Sequence, residues 1–289
     1  MSSLPPSPSA PPGAPAPSTA MLLHLQTVPP RNGGLWIRHG FKVFQRKPLA
    51  LTGLLAIFIF AAIAMMLLPF VGIVLLLMAW PLLSLGFMLA THLVLQNRTP
   101  TAAVYLAPLK LTRQRRNTQL QLCGAYALAT LLISLLSSAV DGGSFDALQR
   151  LLASGAPPEQ VAEAAADPAL FWGAMTRLTL AALLSVPFWH APALVHWGGQ
   201  GLMQSLFSST LGVWRNKGAF VVNSLLWSAL VIGAALLCSL LGGLLGAPQL
   251  LPLLIAPLGL VLSTVFYASL YFTFVDCFMF GTPRELPQS

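Results

Sequence analysis

Two histidines in one apolar stretch, His190 and His196, have the side chain that most often binds metals or moves protons. Their spacing of six residues turns them about 240° apart on a straight helix, so they do not share a face as paired ligands would. Pro192 lies between them and can alter that geometry locally. None of the cysteines has the spacing of metal ligands or of a disulfide framework; these are Cys123, Cys238 and Cys277. We therefore predict no metal and no cofactor.

Asp276 is the one carboxylate that falls in a membrane-type apolar stretch. A protease built on paired carboxylates needs a partner, and the other stretches contain no Asp or Glu. The chain also lacks the G-x-S-x-G turn of serine hydrolases and a glycine loop that cradles phosphate. The sequence therefore predicts a protein that is not an enzyme and has no catalytic residues.

Asp276 and Arg177 are charged groups near the ends of apolar stretches, where such groups are costly and often functional. The simplest interpretation is that each side chain reaches to the membrane surface. Alternatively, Asp276 pairs with an arginine on the same side, such as Arg215. Together with His190, these two residues are the candidates for a functional role.

The composition of the chain indicates the class of protein to which these residues belong. The chain has 289 residues and a net charge of +8, and only 8% of its residues are charged while 56% are apolar. An ordinary soluble domain carries about 25% charged residues, so this class of protein is excluded. A nucleic-acid binder is also not expected, because the positive charge is spread thinly over a hydrophobic chain.

Long stretches without charge predict how often the chain crosses the membrane. They are residues 48–97, 117–140, 178–214 and 218–275. One crossing takes about 20 apolar residues, so the stretches hold two, one, one and two helices. Strict two-residue alternation, which marks barrel strands, is absent from them. The prediction is an all-α polytopic membrane protein with six transmembrane helices, at residues 49–68, 73–95, 120–140, 174–195, 219–241 and 252–274.

The distribution of charge predicts the orientation. Of the 15 Lys and Arg residues, all but Arg150 and Arg177 fall on one side of the predicted helices. The positive-inside rule places that side in the cytoplasm, with both termini. Most acidic residues fall in the one long outer loop, at about residues 141–173. The prediction is a multi-pass protein of the bacterial inner membrane, with its N-terminus and C-terminus cytoplasmic.

The domain organisation follows from the same pattern. Residues 1–20 are rich in Pro, Ala and Ser and predict a disordered extension, although Met21 is an alternative translation start. Residues 21–48 form a cytoplasmic basic amphipathic segment, residues 49–280 the six-helix domain and residues 281–289 a cytoplasmic tail. In the outer loop we expect two short helices, the first capped by Ser144 and the second beginning near Pro158.

The segment before the first crossing has two distinct faces. Ile37, Phe41 and Phe44 recur at helical spacing, and a polar residue follows each of them, namely Arg38, Lys42 and Gln45. We expect a helix lying in the cytoplasmic interface with Trp36 at headgroup level. Trp36, Arg38 and Lys42 are therefore candidates for contact with lipid headgroups. The segment is interpreted either as a membrane-proximal anchor or as a specific site for anionic lipid.

Two further patterns concern the arrangement of the six predicted helices. Basic residues precede the first, third and fifth helices, which favours three hairpin units, each led by a basic interfacial segment. Prolines fall inside the second, fourth and sixth helices and predict kinks there; they are Pro81, Pro187, Pro192 and Pro257. Kinked helices can frame a cavity at mid-membrane, as in transporters.

Several short motifs are distributed along the chain, namely Gly34-Leu35-Trp36, Gly40 to Phe44, Asp141-Gly142-Gly143, His190 to Val195, Trp214-Arg215-Asn216, Tyr267 to Tyr271, and Asp276. Together they resemble a family of uncharacterised multi-pass inner-membrane proteins of proteobacteria, and the resemblance covers most of residues 24–280. It implies a multi-spanning protein without an established activity, and no catalytic residue is carried over. The Pro-rich first 20 residues depart from the usual start of the family, which favours Met21.

Two functions stay open at this point. The first is a non-enzymatic membrane protein with a structural, assembly or lipid-interacting role, and the second is a transporter or permease for a small or lipophilic solute. The expected partner is the lipid bilayer, with anionic lipids as the specific case, and no nucleic acid. Protein partners and self-association are not determined by the sequence.

Overall fold

The computed structural model of the protein describes residues 22–244, 246 and 251–281. In chain order, its elements are β1 (Leu22–Leu25), α1 (Asn32–Arg46), α2 (Pro48–Met66), α3 (Val71–Leu95), α4 (Ala103–Leu106), α5 (Arg113–Asp141), α6 (Ser144–Ala153), α7 (Pro158–Ala165), α8 (Pro168–Phe188), α9 (Ala191–His196), α10 (Leu202–Arg215), α11 (Lys217–Leu244), α12 (Leu251–Cys277) and β2 (Phe278–Gly281). The predicted extension at residues 1–20, Met21 and the part of the predicted tail at residues 282–289 lie outside the described residues.

Within the described residues, six helices are long and apolar enough to cross a membrane: α2, α3, α5, α8 continued by α9, α11 and α12. The predicted all-α fold with six transmembrane helices is confirmed. Several helices are longer than predicted, since α5 begins at Arg113 and α12 ends at Cys277. Polar residues at these ends interrupt the apolar pattern, but they are compatible with helical backbone and do not end the helix.

The connections fall at two ends of the bundle, which differ in charge. The end that carries α1, α4 and α10 holds most of the Lys and Arg residues, and we refer to it as the basic end. The end that carries α6 and α7 holds most of the Asp and Glu residues, and we refer to it as the acidic end.

Helix α1 packs lengthwise into the groove between α11 and α12. A Cβ on Gly33 would collide with the backbone carbonyl of Ala219 in α11, and a Cβ on Gly40 would lie 2.9 Å from the Ser269 side chain in α12. Further along α1, the Phe41 ring stacks on Trp227 of α11 at 6.5 Å. Glycine on this face lets the backbones approach closely. Helix α1 is therefore a packed element of the bundle at the basic end.

A short antiparallel ribbon joins the two ends of the described chain. Strand β1 pairs with β2 in the register Leu22 to Gly281 and Leu25 to Phe278. The ribbon was not predicted, because a four-residue apolar strand has too few alternations to be distinguished from a coil. It holds the beginning and the end of the described chain together at the basic end.

At the acidic end, two short helices connect α5 to α8, as predicted. The predicted cap Ser144 is wrong, because Gly143 holds the capping position with φ 86° and Ser144 is the first helical residue. The Ser144 hydroxyl donates instead to the Asp167 carboxylate at 2.5 Å. Asp167 caps α8 by accepting from the backbone N–H of Ala169 at 2.9 Å, so this end is joined by side-chain hydrogen bonds.

The prolines have unequal effects on the helices. Helices α3 and α12 continue through Pro81 and Pro257. The fourth crossing ends α8 at Phe188 and resumes as α9 at Ala191, between Pro187 and Pro192. Two closely spaced prolines remove two backbone donors from adjacent turns, which favours a break at this position. The break places Trp189 and His190 against the basic-end core.

Candidate functional site

Asp276 holds α1 against the end of α12. Its Oδ2 accepts a hydrogen bond from Trp36 Nε1 at 2.7 Å and another from Asn32 Nδ2 at 2.9 Å. The alternative pairing with Arg215 is wrong, because Arg215 Nε donates to the Thr27 hydroxyl at 2.7 Å. Both donors belong to α1 and bind the same oxygen of the carboxylate. Asp276 therefore positions α1.

Trp36 is placed differently from the sequence prediction. Its side chain is 0% exposed, belongs to the main apolar core and lies 5.1 Å from the Phe220 ring. The expectation that Trp36 contacts lipid headgroups is therefore wrong. The pattern was ambiguous because an amphipathic indole fits both a headgroup layer and a buried site that offers an acceptor for its N–H. Here Asp276 supplies that acceptor.

Arg38 and Lys42 occupy the opposite, exposed face of α1. The buried face consists of Gly33, Trp36, Ile37, Gly40 and Val43. Because that face is fixed by the contacts with α11 and α12, the cations cannot rotate inward without undocking the helix. Arg31, Gln45 and Arg46 extend the exposed polar face. The arrangement is a rigid cationic surface at the basic end of the bundle.

Asn216 is a further organising residue, which the sequence reading missed. Its Oδ1 accepts from the Val28 backbone N–H at 2.8 Å, and its Nδ2 donates to the carbonyls of Gln26 and Gly212 at 2.9 and 3.0 Å. Nδ2 also lies 3.3 Å from Cys277 Sγ. One amide thus joins the segment after β1 to α10 and to the end of α12. The Trp214-Arg215-Asn216 motif was the available signal.

His190 lies in a closed environment at the break in the fourth crossing. It is 0% exposed, and its Nε2 lies 3.2 Å from Thr273 Oγ1. Its backbone N–H donates to Ser209 Oγ at 3.0 Å. The ring packs against Phe220, Phe274 and Phe278. These contacts give His190 a structural role in fixing the break, although its Nδ1 has no partner among the described residues.

Arg177 lies at the acidic end and packs on the outer loop. Its guanidinium lies 4.2 Å from the centre of the Phe145 ring in α6. A cation over an aromatic face is attracted by the ring quadrupole. Within the described residues, Arg177 Nε has no hydrogen-bond partner. The structure therefore places Arg177 far from Asp276 and His190, so the three candidate residues do not form one site.

A polar cluster that the sequence reading missed lies where α5 meets α9. Arg115 Nη1 donates to the backbone carbonyl of His196 at 3.3 Å, and its guanidinium packs on Gly199. Gln119, one turn further along α5, is fully buried, and neither of its amide atoms has a partner among the described residues. The same is true of Gln200 Oε1. Buried amides are normally paired, so this cluster has capacity for bound water.

Among the described residues, Tyr267 is a wall residue of three clefts. One, of about 600 Å³, lies between α11 and α12, and another, of about 460 Å³, lies between α2, α3 and α12. The third, of about 180 Å³, lies beside the break in the fourth crossing and includes the hydroxyls of Ser84, Tyr126 and Ser185. Their walls are otherwise largely apolar, which suits lipophilic groups better than ions.

Tyr105, in α4, contacts two of the spanning helices, α2 and α3. Its hydroxyl donates to the Leu54 carbonyl at 3.0 Å, and its ring packs on Gly86, where a Cβ would collide with it. Burial raises the pKa of Tyr105, and the nearby Tyr267 phenol raises it further. The phenol therefore stays neutral at physiological pH and acts as a hydrogen-bond donor.

Comparisons with known proteins place the chain among membrane proteins. It is 30% identical over 261 residues to a protein of Burkholderia thailandensis described as a probable inner membrane protein, in an alignment that covers 89% of this chain and 94% of that protein. No family model matches the chain, and no solved structure matches it. No group of three or more metal-binding side chains occurs among the described residues.

Proposed function

This chain belongs to the inner-membrane protein family of that Burkholderia thailandensis relative, and we propose that it is a non-enzymatic protein that binds anionic lipid through α1. The family resemblance and the multi-spanning, inner-membrane character expected from the sequence are confirmed. Family membership does not assign an activity, and the geometry of α1 supports the proposed one.

The observation that carries the proposal is the fixed orientation of α1. Hydrogen bonds from Asn32 and Trp36 to Asp276, with glycine contacts on the same face, leave Arg38 and Lys42 exposed. Each cation near an anionic leaflet contributes about 1 kcal/mol to binding. A docked helix presents these cations without the entropic cost of ordering them.

The charge distribution supports a cytoplasmic location for the basic end. Arg98, Lys110, Arg113 and Arg116 lie at the same end as α1, in or beside the connection from α3 to α5. By the positive-inside rule this end faces the cytoplasm, where the membrane surface is negative. The ribbon of β1 and β2 brings both ends of the described chain to this side. We therefore propose cytoplasmic termini.

A non-enzymatic role is supported by how the reactive side chains are used. Asp276 is occupied by Asn32 and Trp36, and His190 is enclosed by three phenylalanines. A general acid or base must lie within hydrogen-bonding reach of a substrate. Both groups instead contact other parts of the bundle.

The test is a pair of charge reversals with a matched control. Arg38→Glu with Lys42→Glu should lose most of the phosphatidylglycerol that co-purifies with the protein, measured by native mass spectrometry. Arg98→Glu with Lys110→Glu makes the same charge change at exposed positions of the same end and should retain the lipid. Equal retention by both double variants would overturn the proposal.

Transport is the second candidate, because of the 180 Å³ cleft beside the break in the fourth crossing. A broken helix next to a cleft that contains hydroxyls is a feature of transporters. The test is Ser185→Cys, labelled with a membrane-impermeant thiol reagent from each side of proteoliposomes. Alternating access predicts labelling from both sides, whereas a cysteine that reacts from neither side contradicts it.

A further inference from the structure

The groove between α11 and α12 is filled by α1 over only part of its length. Helix α1 occupies the groove from Ala219 to Trp227 of α11. Beyond Trp227 the groove is empty and forms the cleft of about 600 Å³, which has Tyr267 on its opposite wall. A second cleft of about 110 Å³ shares Val231, Gly259 and Leu262 with it and reaches Cys238. We call these two continuous spaces the α11–α12 cleft.

The dimensions of the α11–α12 cleft match a single lipid chain. From Trp227 to Cys238 it extends about 16 Å at 1.5 Å per residue. One leaflet of a bilayer contributes about 15 Å of hydrocarbon. The walls carry Val231, Ile232 and Leu262 with the small residues Ser228 and Gly259. A narrow apolar space of this length in a membrane-spanning bundle suits an extended acyl chain.

Trp227 lies at the inner end of this cleft, whose lining also contains the hydroxyl groups of Ser228, Ser263 and Tyr267. Trp227 is 7% exposed and borders the cleft, and its indole N–H has no acceptor among the described residues. A buried donor without an acceptor is costly, and the ester carbonyl of a lipid can supply one. Directly over Trp227 lies Phe41, whose neighbours Arg38 and Lys42 are exposed. The exposed cations of α1 are therefore on the helix that covers the inner end of the cleft, on its face away from the groove.

We propose that the α11–α12 cleft binds one acyl chain of an anionic phospholipid from the inner leaflet, with its headgroup at Arg38 and Lys42. This inference rests on the proposed function and adds a site for the lipid chain. The occupant follows from the length of the cleft, its continuity with α1 and the charge at its inner end. A second copy of the protein would match the apolar walls but not the cations, because the facing surface of a copy carries the same charges.

The experiment uses the full chain in phosphatidylethanolamine vesicles that contain a phosphatidylglycerol analogue with a diazirine in its acyl chain. After irradiation, labelled residues are located by peptide mass spectrometry. We expect labelling concentrated on residues 227–232 of α11, and weaker labelling there by the corresponding phosphatidylethanolamine analogue. Labelling at the same density on the exposed apolar face of α2, or equal labelling by both analogues, overturns the proposal.

A filling substitution provides the matched control. A Cβ added at Gly259 meets nothing within 4 Å, and Gly259 lines both parts of the cleft, so Gly259→Leu should fill it from a position that has room for a side chain. Gly233→Leu makes the same change at another open helical position that lines neither part of the cleft. Gly259→Leu should lose the labelling of residues 227–232, and Gly233→Leu should retain the labelling of the same residues. Persistent labelling in Gly259→Leu contradicts the site, as do protein–protein cross-links through α11.

These outcomes separate the cleft from the proposed function. Gly259→Leu leaves Arg38 and Lys42 in place, so the total phosphatidylglycerol retained by α1 tests the function independently. Both proposals are supported if Gly259→Leu loses the cleft labelling and the charge reversals at Arg38 and Lys42 still remove the retained phosphatidylglycerol. If charge reversal does not reduce lipid retention, the proposed function is contradicted. If Gly259→Leu does not reduce the labelling, only the cleft site is contradicted.

Discussion

At the scale of single residues, Asp276 shows how a charge in an apolar sequence can be structural. Its partners Asn32 and Trp36 are more than 230 positions away in sequence, so no local pattern links them. The sequence identified Asp276 as unusual and named its alternative partner as Arg215. The choice between an arginine and an indole depends on tertiary packing, which periodicity does not contain.

Removing the donor without removing the ring tests this contact. Trp36→Phe keeps most of the buried aromatic surface and deletes the N–H that Asp276 accepts. A hydrogen bond to a charged group contributes about 1.5–3 kcal/mol, so we expect a melting temperature several degrees lower in detergent. Trp214→Phe, at an exposed tryptophan, is the control and should melt like the parent protein. Equal melting of the two variants would show that the bond to Asp276 contributes little.

At the scale of elements, α1 is where sequence and structure differ most. Its amphipathic pattern predicted a helix at a surface, and the exposure of Arg38 and Lys42 agrees with that pattern. The pattern did not distinguish a helix that faces lipid from one that faces other helices, since both bury the same apolar stripe. Gly33 and Gly40, spaced seven residues apart on the buried face, were the signal of close helix packing.

Small enlargements of that face should undock α1. Gly33→Ala directs a Cβ at the Ala219 carbonyl, and Gly40→Ala meets Ser269 and the Val265 carbonyl. Overpacking of this kind costs about 1–3 kcal/mol. We expect faster trypsin cleavage after Arg38 and Lys42, because a helix must open locally before it is cut.

Gly53→Ala is the matched control, since a Cβ at Gly53 in α2 meets nothing within 4 Å. It should leave cleavage within α1 unchanged. If Gly33→Ala were cut no faster than Gly53→Ala, close packing of α1 against α11 would be disproved.

The outer helices should respond to acid through Asp167. Hydrogen bonds from Ser144 and from the backbone of Ala169 lower the pKa of Asp167 below its ordinary value of 3.8. A lowered pKa means that this stabilisation is complete above the ordinary pKa and is lost as the pH falls through the folded value. The protection of α6 and of the first turn of α8 against hydrogen exchange, corrected for the intrinsic exchange rate at each pH, should therefore fall below pH 3.8.

Asp167→Asn provides the comparison for this acid response. The variant has no carboxylate to titrate and should show a flatter pH dependence of exchange in the same two segments. An unchanged acid response in Asp167→Asn would assign the effect to another group.

At the scale of the whole molecule, the bundle is tightly packed at one end and open at the other. Core side chains such as Phe87, Leu194 and Phe274 are fully buried towards the basic end. Large apolar side chains such as Ile63, Leu236 and Leu253 are exposed towards the acidic end, where lipid rather than protein surrounds them. The number of spanning helices was predictable because it depends only on the lengths of the stretches without charged residues. The α11–α12 cleft was not predictable, since it depends on how far α1 fills the groove between these two helices.

The most direct test of the account is cysteine labelling of α1 in whole cells with a membrane-impermeant maleimide. The three native cysteines are buried, so background reaction is low. Single substitutions Lys42→Cys, Ile37→Cys and Arg150→Cys report the exposed face of α1, its buried face and the outer loop. We predict that Arg150→Cys reacts in intact cells, Lys42→Cys only after permeabilisation and Ile37→Cys in neither case. Reaction of Lys42→Cys in intact cells, or equal reaction of Ile37→Cys and Lys42→Cys, would contradict a basic helix docked at the cytoplasmic surface.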